Sequence, residues 1–315
     1  MIQTVTGAID NTDLGNVLMH EHISCSSLSF QKAFGMSWLN EEHLKALSCE
    51  TLQQMKQNYN MGLLVDATPI DLGRNATLLR EISEASGVKI VASTGFYYLQ
   101  SIEVLNNDAS YIAEWFIGEC ENGIGNTGIK PGILKCATGN VGITDDNQKK
   151  LSALGIVQSQ TGLPLYVHCE HYEDIAHKQI DLLLQNGADA KKIIIGHASL
   201  RPDAAYLEEI LEKGCYICMD QCHCCGHDVK ILADTLLKLC QKGYTNKILI
   251  SNDYCIHSDF CNGDTNGLHL SAAQHAERLG FVFTKVYAAY LCAGGSEKDW
   301  NTMLRENPVC VLDVG

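Results

Sequence analysis

The sequence predicts a (β/α)8 barrel in which residues 1–315 form a single domain. Eight short apolar runs rich in β-branched residues each end in polar or glycine residues, and helical patterns separate them. Strands that alternate with helices form a parallel sheet with right-handed crossovers, and eight such units close into a barrel. An open doubly wound sheet is the structural alternative, but no glycine-rich dinucleotide fingerprint follows the first strand.

The predicted strands share a compact apolar run and a polar carboxyl end. They span residues 16–22, 62–69, 89–97, 132–139, 163–171, 192–199, 215–221 and 247–253. Helical patterns lie between them, for example at 75–87, 145–162 and 202–214. Several of these begin at an N-cap residue and end at glycine, as helices commonly do. In a barrel of this kind, active-site residues lie at the carboxyl ends of the strands.

The composition excludes several classes of protein. Apolar residues make up 46% of the chain, which allows a large core, and the net charge is −14. Such acidity argues against a nucleic-acid binder and gives an anionic membrane surface little to attract. Neither a signal-peptide pattern at the start nor an apolar run of about 20 residues is present, so we expect a cytoplasmic protein. In that compartment the 15 cysteines are expected to be reduced thiols.

Polar residues that can bind metal or activate water stand at five of the predicted strand ends. They are His20, His22, Lys135, His168, His197 and Asp253. Residues i and i+2 of a strand point to the same side, so the two histidines of the first strand can offer both imidazoles to one metal. A lone histidine at a strand end is usually structural, but coincidence explains this whole set poorly.

Lys135 has three interpretations, because burial in an apolar strand disfavours its charge. The side chain can point outward and reach water. It can face the barrel mouth and bind metal as a carbamate, since an ammonium group has no lone pair. It can also form a Schiff base with a carbonyl substrate, as in an aldolase.

Six sequence segments carry a family resemblance: LMHEH, LVDATPIDLGRN, GIKPGILKCATG, GHAS, ILISNDY and MLRENP. Together with the order of the strand-end residues, they resemble the amidohydrolase superfamily and, within it, the phosphotriesterase-related branch, which includes lactonases. The resemblance covers nearly the whole chain. It implies a homodimer and two divalent metal ions, for which the ligands suit zinc, manganese or cobalt.

The resemblance also assigns the ligands of the two ions. His20, His22 and Asp253 would hold one ion, and His168 and His197 would hold the other. Carbamylated Lys135 would bridge the two ions together with a hydroxide. Such a hydroxide is a strong nucleophile near neutral pH, and a metal can polarise the C=O or P=O group that it attacks. Asp253 would take the proton and pass it to the leaving group.

The predicted reaction is hydrolysis of an ester-type bond in a small molecule. Gln221 stands where relatives of this branch place a histidine, which weakens a transfer of organophosphate specificity. We therefore favour a lactone, including a sugar lactone with an anionic group. A phosphotriester, a carboxylate ester and an amide stay open.

Five residues are candidates for substrate binding. Asp220 resembles the family's strand-seven aspartate at the substrate pocket, and Tyr97 matches a family tyrosine near the metals. Tyr97 can steady a carbonyl oxygen or simply form an aromatic wall. Arg74 and Arg201 can clamp a carboxylate or phosphate, or form salt bridges between loops. His257 lies in the long loop after the eighth strand.

The segment CYICMDQCHCCGHD, residues 215–228, holds five cysteines and two histidines. Cys215 and Cys218 are three residues apart in a strand, so they face opposite sides and cannot share a metal. The other three cysteines fall in the loop after the seventh strand, without the paired knuckles of a zinc site. We expect reduced structural thiols. An accessory metal site, a redox switch and a metal-storing or metal-sensing protein are the alternatives.

Overall fold

The computed structural model describes residues 1–10, 14–260 and 267–315. Residues 261–266, part of the predicted loop after the eighth strand, and residues 11–13 lie outside this description. The strands of the described part are β1 Ile2–Thr4, β2 Gly7–Ile9, β3 Asn16–Cys25, β4 Met61–Asp66, β5 Lys89–Gly95, β6 Ile133–Ala137, β7 Leu165–His168, β8 Ile193–Ile195, β9 Tyr216–Met219, β10 Ile248–Ile250 and β11 Cys255–Ser258. Strands β3 to β10 occupy the eight predicted positions.

All pairings among β3 to β11 are parallel, and the sheet closes on itself through a divided last strand. Consecutive strands from β3 to β10 lie side by side, and β11 then pairs with β3. The eighth barrel strand is therefore split into two parts. β10 pairs with β9, residues 251–254 interrupt the strand, and β11 pairs with β3, the first barrel strand. The (β/α)8 barrel is confirmed, and the open doubly wound sheet is excluded.

Each barrel strand is buried on both faces, which explains its nearly continuous apolar sequence. Side chains alternate between two layers, because successive residues of a strand point to opposite sides. In β3 an irregularity between Leu18 and Glu21 shifts this alternation by one residue, so that His20 and His22 also face inward. Val17 and Met19 of β3 lie in the inner layer that fills the barrel, whereas Leu18 between them packs outward against the helices. Cys218 likewise faces the interior and Cys215 the outer layer, as the sequence predicted.

The α-helices surround the sheet. They are α1 Leu28–Phe34, α2 Glu41–Tyr59, α3 Ala76–Ser86, α4 Ile102–Leu105, α5 Ala109–Asn122, α6 Asp145–Thr161, α7 Ile175–Gln185, α8 Ala204–Glu212, α9 Val229–Gln241, α10 Ala272–Leu279, α11 Tyr287–Cys292, α12 Glu297–Asn301 and α13 Asn307–Leu312. The predicted capping residues are present in α6. The Thr144 hydroxyl accepts from Asn147 N at 3.2 Å, and Gly162 ends the helix at φ 68°. No helix of the described residues is both long and apolar enough to cross a membrane.

The two ends of the barrel differ. The β1–β2 hairpin and α13 cover the amino end, where Ile2, Val311 and Leu312 join the inner layer. The Met1 ammonium group and Asp313 form an ion pair at the same end. The carboxyl end carries the polar residues that close the strands, and it opens into a cavity.

Candidate metal centre

The six side chains predicted to bind metal converge at the carboxyl end of the barrel. Lys135 Nζ lies 2.8 Å from His20 Nε2, and His197 Nε2 lies 2.7 Å from His168 Nδ1. The six residues lie within β3 and β6, at the end of β7, just after β8 and in the break in the eighth strand. A cavity of about 400 Å³ lies above them, a size that holds a small molecule.

His20, His22 and Asp253 form a group with the geometry of a metal site. Asp253 Oδ1 lies 3.2 Å from His20 Nε2 and 3.2 Å from His22 Nε2. Two nitrogen or oxygen ligands of a tetrahedral zinc ion, each at about 2.0–2.1 Å, are about 3.3 Å apart. The three groups therefore fit a divalent cation.

His168 and His197 face each other across a shorter gap. Their 2.7 Å separation is a hydrogen bond, so one ring carries a proton between the two nitrogens. A divalent ion that replaced this proton would need the two nitrogens about 0.6 Å further apart, judged by the same ligand spacing. Lys135 Nζ, on the neighbouring strand β6, lies beside both histidine groups.

The second nitrogen of each of the four imidazoles is held by a partner outside the centre. His20 Nδ1 lies 2.9 Å from Asp220 Oδ2, and His197 Nδ1 lies 2.8 Å from Asp220 Oδ1. His22 Nδ1 and His168 Nε2 are bonded at 2.8 Å and 3.0 Å, respectively, to Thr68 Oγ1 and Glu170 Oε1. Each ring thus turns its remaining nitrogen toward the shared centre, which is the arrangement of histidines that bind metals.

Asp220 lies behind the histidines rather than in the cavity, although the family resemblance placed it at the substrate pocket. Its side chain is 0% exposed. Besides the two imidazoles, the carboxylate accepts from the His197 backbone N at 2.8 Å and from the Tyr166 hydroxyl. Both carboxylate oxygens thus accept two hydrogen bonds each, and these bonds orient the histidines of the centre.

Glu21, between the two histidines of the first barrel strand, is a site residue that the sequence reasoning did not single out. Its buried carboxylate accepts four hydrogen bonds from the break in the eighth strand. These fix the turn in which Asp253 adopts a left-handed backbone, φ 55°. The alternation of the strand was the available signal: a carboxylate between two inward histidines points outward and needs buried donors.

Burial sets the charge of much of the centre. It lowers the pKa of Lys135, which favours the neutral amine, and lowers the pKa of His20 to about 3 and of His168 to about 4. Burial also opposes the charge of His197, but the Asp220 carboxylate outweighs it and raises the pKa of His197. The raised pKa of His197 favours its protonated form, which puts positive charge where a cation would bind.

The same balance applies on the other side of the centre. Burial raises the pKa of Asp253, but His20 and the hydrogen bond to His22 hold it well below its usual value. Burial lowers the pKa of His22, whereas its neighbours Cys25 and Asp253 raise it well above the ordinary value. Asp253 is thus an ionised acceptor beside the cavity.

The cavity wall combines the centre with aromatic and aliphatic side chains. The Tyr97 ring stands edge-on to His168 with 5.1 Å between centroids, so this predicted residue does reach the cavity. Gln221 donates to Asp253 Oδ2 at 2.7 Å. The lining residues are His20, His22, Cys25, Leu72, Tyr97, Tyr98, Leu99, Lys135, His168, Gln221, Asp253, Cys255, Ser258 and Phe260.

The other expected substrate-binding residues are not among the described residues that line the cavity. Arg74 is bonded to Glu119 at 2.7 Å, and Arg201 stacks on Tyr206 at 3.7 Å. Arg74 therefore forms a salt bridge, as its alternative interpretation expected, although the partner lies on α5 and not on a loop. Arg201 instead makes a cation–π contact and donates to the Glu173 backbone oxygen at 3.1 Å. His257 is buried and bonded to Ser24 Oγ at 2.8 Å.

The cysteine-rich loop does not bring ligand atoms together for a metal ion in the described part of the chain. Three groups there could hold an ion, and none includes a residue of 221–228. Two of the groups belong to the histidine centre. The third group consists of His22, Cys25 and Cys255. Nothing in the sequence indicated that these two cysteines lie together.

Comparison with known protein families gives a match over nearly the whole chain. The model of the phosphotriesterase family matches residues 1–312. The chain belongs to the phosphotriesterase family. Among solved structures of similar fold is that of the phosphotriesterase from Mycobacterium tuberculosis, with a TM-score of 0.90, 26% identity and coverage of 99% of this chain and 98% of that one.

Curated relatives of this phosphotriesterase-family chain carry different names. The phosphotriesterase homology protein of Mycobacterium tuberculosis is 28% identical over 98% of this chain and 96% of its own. The aryldialkylphosphatase of Saccharolobus solfataricus is 30% identical, over 96% of each chain. The N-acetyltaurine hydrolase of Rattus norvegicus is 25% identical, over 98% of this chain and 96% of its own. The chain is therefore a hydrolase of this family, whose relatives differ in substrate.

Proposed function

We propose that this chain is a two-metal hydrolase that cleaves a neutral, compact ester-type substrate, with a lactone as the first candidate. The observation that carries the proposal is the orientation of the four imidazoles. Each has one nitrogen bonded to an outer partner and the other turned to a common centre beside Asp253 and Lys135. Two divalent cations, zinc in the first place, would supply an activated water and polarise the bond to be cleaved.

His20, His22 and Asp253 would hold one ion, and His168 and His197 the other. Lys135 would join the two as a carbamate. Its amine, kept neutral by burial, forms an N–C bond to carbon dioxide while one C=O bond becomes a carboxylate oxygen and a proton leaves. The product supplies two anionic oxygen ligands, which the ammonium form cannot do.

Asp253 has two functions in this proposal. One carboxylate oxygen, Oδ1, faces His20 and His22, and the other, Oδ2, accepts from Gln221. The ionised group can accept the proton of the attacking water and return it to the leaving alkoxide. Tyr97, across the cavity on the His168 side, can donate from its hydroxyl to the carbonyl oxygen.

The cavity favours a neutral substrate. Its described lining contains no arginine and only one lysine, Lys135, and residues 261–266 contain neither in sequence. Arg74 and Arg201 are engaged elsewhere, so the anionic group that they were expected to bind has no partner there. Leu72, Leu99 and Phe260 offer apolar contacts instead. A lactone is uncharged and compact, so it fits this cavity, and lactones are common metabolites.

A neutral phosphotriester is the second candidate. It is favoured by the 30% identity to an aryldialkylphosphatase and by the same uncharged wall. An N-acylated aminosulfonate is disfavoured, because its anionic end finds no cation in the described lining. A panel of alkyl lactones, a carboxylated lactone, a phosphotriester and N-acetyltaurine separates these options by kcat/KM.

The metal model is tested on protein made without a histidine tag. The parent and a Cys222→Ser/Cys224→Ser/Cys225→Ser variant are both expected to carry two metals per chain and to hydrolyse the panel. Loss of metal from the triple variant would instead identify a metal-storing or metal-sensing loop. No hydrolysis by the two-metal parent would overturn the proposed function.

Lys135 is tested by a matched pair of variants. Lys135→Ala is expected to lose metal and activity, whereas Lys135→Glu keeps a bridging carboxylate and should retain metal. Carbamylation itself is read by ¹³C NMR after equilibration with ¹³CO₂. A covalent adduct at Lys135 after borohydride treatment with a carbonyl substrate would favour the Schiff-base aldolase.

A further inference from the structure

Two thiols lie together in the cavity wall, outside the set of residues assigned to the proposed function. Cys25 ends β3 and Cys255 begins β11, and their sulfur atoms are 3.6 Å apart. Both line the cavity above the centre. One ligand atom of each, with a ring nitrogen of His22, falls within 4.8 Å of the other two.

The two thiols are not joined by a disulfide. Both cysteines are free, and the Cys255 thiol donates to Cys25 Sγ at 3.6 Å, whereas an S–S bond is about 2.05 Å long. The contact spans the barrel seam, because Cys255 is opposite His22 on β3 and Cys25 is opposite Ser258 on β11.

The sulfur spacing matches a chelated ion instead. Two thiolates bound at about 2.3 Å to a tetrahedral zinc ion lie about 3.8 Å apart. The observed 3.6 Å is close to this value without any change in the backbone. Thiolates select soft ions over hard ones, so the pair differs in preference from the histidine and carboxylate centre below it.

We propose that Cys25 and Cys255 form a separate site for a thiophilic divalent ion, such as zinc or cadmium, in the wall of the substrate cavity. The two S–H bonds lose their protons to solvent as two metal–sulfur bonds form. His22 stays with the histidine centre, because Thr68 and Asp253 already engage its two nitrogens. Water or a substrate atom fills the remaining coordination positions.

The site has a consequence for catalysis. An ion between these sulfurs occupies space in a cavity of about 400 Å³, directly over the centre. Excess zinc should therefore inhibit hydrolysis although zinc also supports it. The inhibition and the total number of bound ions rest on the proposed function. The thiolate site itself does not.

The test compares zinc uptake and X-ray absorption in three proteins: the parent, Cys25→Ser/Cys255→Ser, and the loop triple variant Cys222→Ser/Cys224→Ser/Cys225→Ser as a matched control. In excess zinc, the parent and the control should hold three ions per chain and show a zinc–sulfur shell at about 2.3 Å. The double variant should hold two ions, lack that shell and require at least tenfold more zinc for half inhibition.

A sulfur shell that persists in the double variant, or its absence from the parent in excess zinc, would overturn the thiolate site. The result also separates this proposal from the proposed function. One sulfur-bound ion and no others would leave the thiolate site standing and refute the two-metal hydrolase. Two ions bound only through nitrogen and oxygen would refute the thiolate site and leave the two-metal hydrolase standing.

Discussion

Replacing Glu21 by glutamine tests whether the turn that carries Asp253 depends on one buried carboxylate. Oε1 accepts from Ser251 Oγ at 2.8 Å, from Asn252 N at 2.8 Å and from Asn252 Nδ2 at 3.3 Å, and Oε2 accepts from Tyr254 N at 2.8 Å. Glutamine has the same shape but only one acceptor oxygen. In its least costly orientation the amide keeps the three bonds to its oxygen and turns its NH₂ toward Tyr254 N.

That orientation leaves two buried donors, the Tyr254 N–H and the amide NH₂, facing each other without an acceptor. Burial raises the pKa of Glu21 to about 8, so loss of its charge adds little near pH 7. A buried unsatisfied donor costs about 1–3 kcal/mol, and with two of them we expect Glu21→Gln to lower the free energy of unfolding by about 2–6 kcal/mol. Since the turn also positions Asp253, metal affinity should fall about 10–100-fold, as for other residues that orient ligands.

Urea unfolding measures the first effect, and zinc titration of metal-free protein measures the second. Glu119→Gln is the matched control, because Glu119 is a partly buried carboxylate bonded to Arg74 and Thr94 away from the centre. It should lose stability and keep metal affinity. Equal metal affinity in the parent and in Glu21→Gln would refute the role of Glu21 in holding Asp253.

Three further predictions concern the surroundings of the centre. Asp220→Asn replaces one of the two acceptor oxygens that orient the rings of His20 and His197 with an NH₂ donor, and zinc titration should show metal affinity at least tenfold lower. His197 and His22 have raised pKa values and must each release a proton to bind metal, so log affinity measured by competition with a chelator should rise with pH with a slope of about two below those values. Lys150 donates to Tyr97 O at 3.1 Å, and Lys150→Met should raise KM for the lactone while two metals stay bound; an unchanged KM would contradict a positioning role.

The barrel and the convergence of the six candidate metal ligands were predictable because both follow from short-range patterns. Apolar runs buried on both faces mark parallel strands, and the carboxyl ends of parallel strands meet at one rim. Strand alternation also placed Cys215 and Cys218 in different layers. The expected homodimer and cytoplasmic location stay predictions.

The substrate residues were less predictable, because loops bring together residues far apart in sequence. Arg74 follows a strand end, yet Glu119 on α5 neutralises it from 45 positions away. No local pattern announces that partner. The same reason hid the contact between Cys25 and Cys255, which are 230 positions apart. Only the split eighth strand places β11 beside β3, and the sequence showed no sign of that break.

The split strand also places the candidate metal centre at the seam where the barrel closes. His20 and His22 lie on one side of the seam where the barrel closes, and Asp253 lies on the other. An ion bound by all three ties the first barrel strand to the last, across a loop of more than 230 residues whose closure carries a large entropic cost. In metal-free protein, amide exchange should therefore begin at this seam. Loss of metal would then make the chain more susceptible to proteolysis, in addition to abolishing its activity.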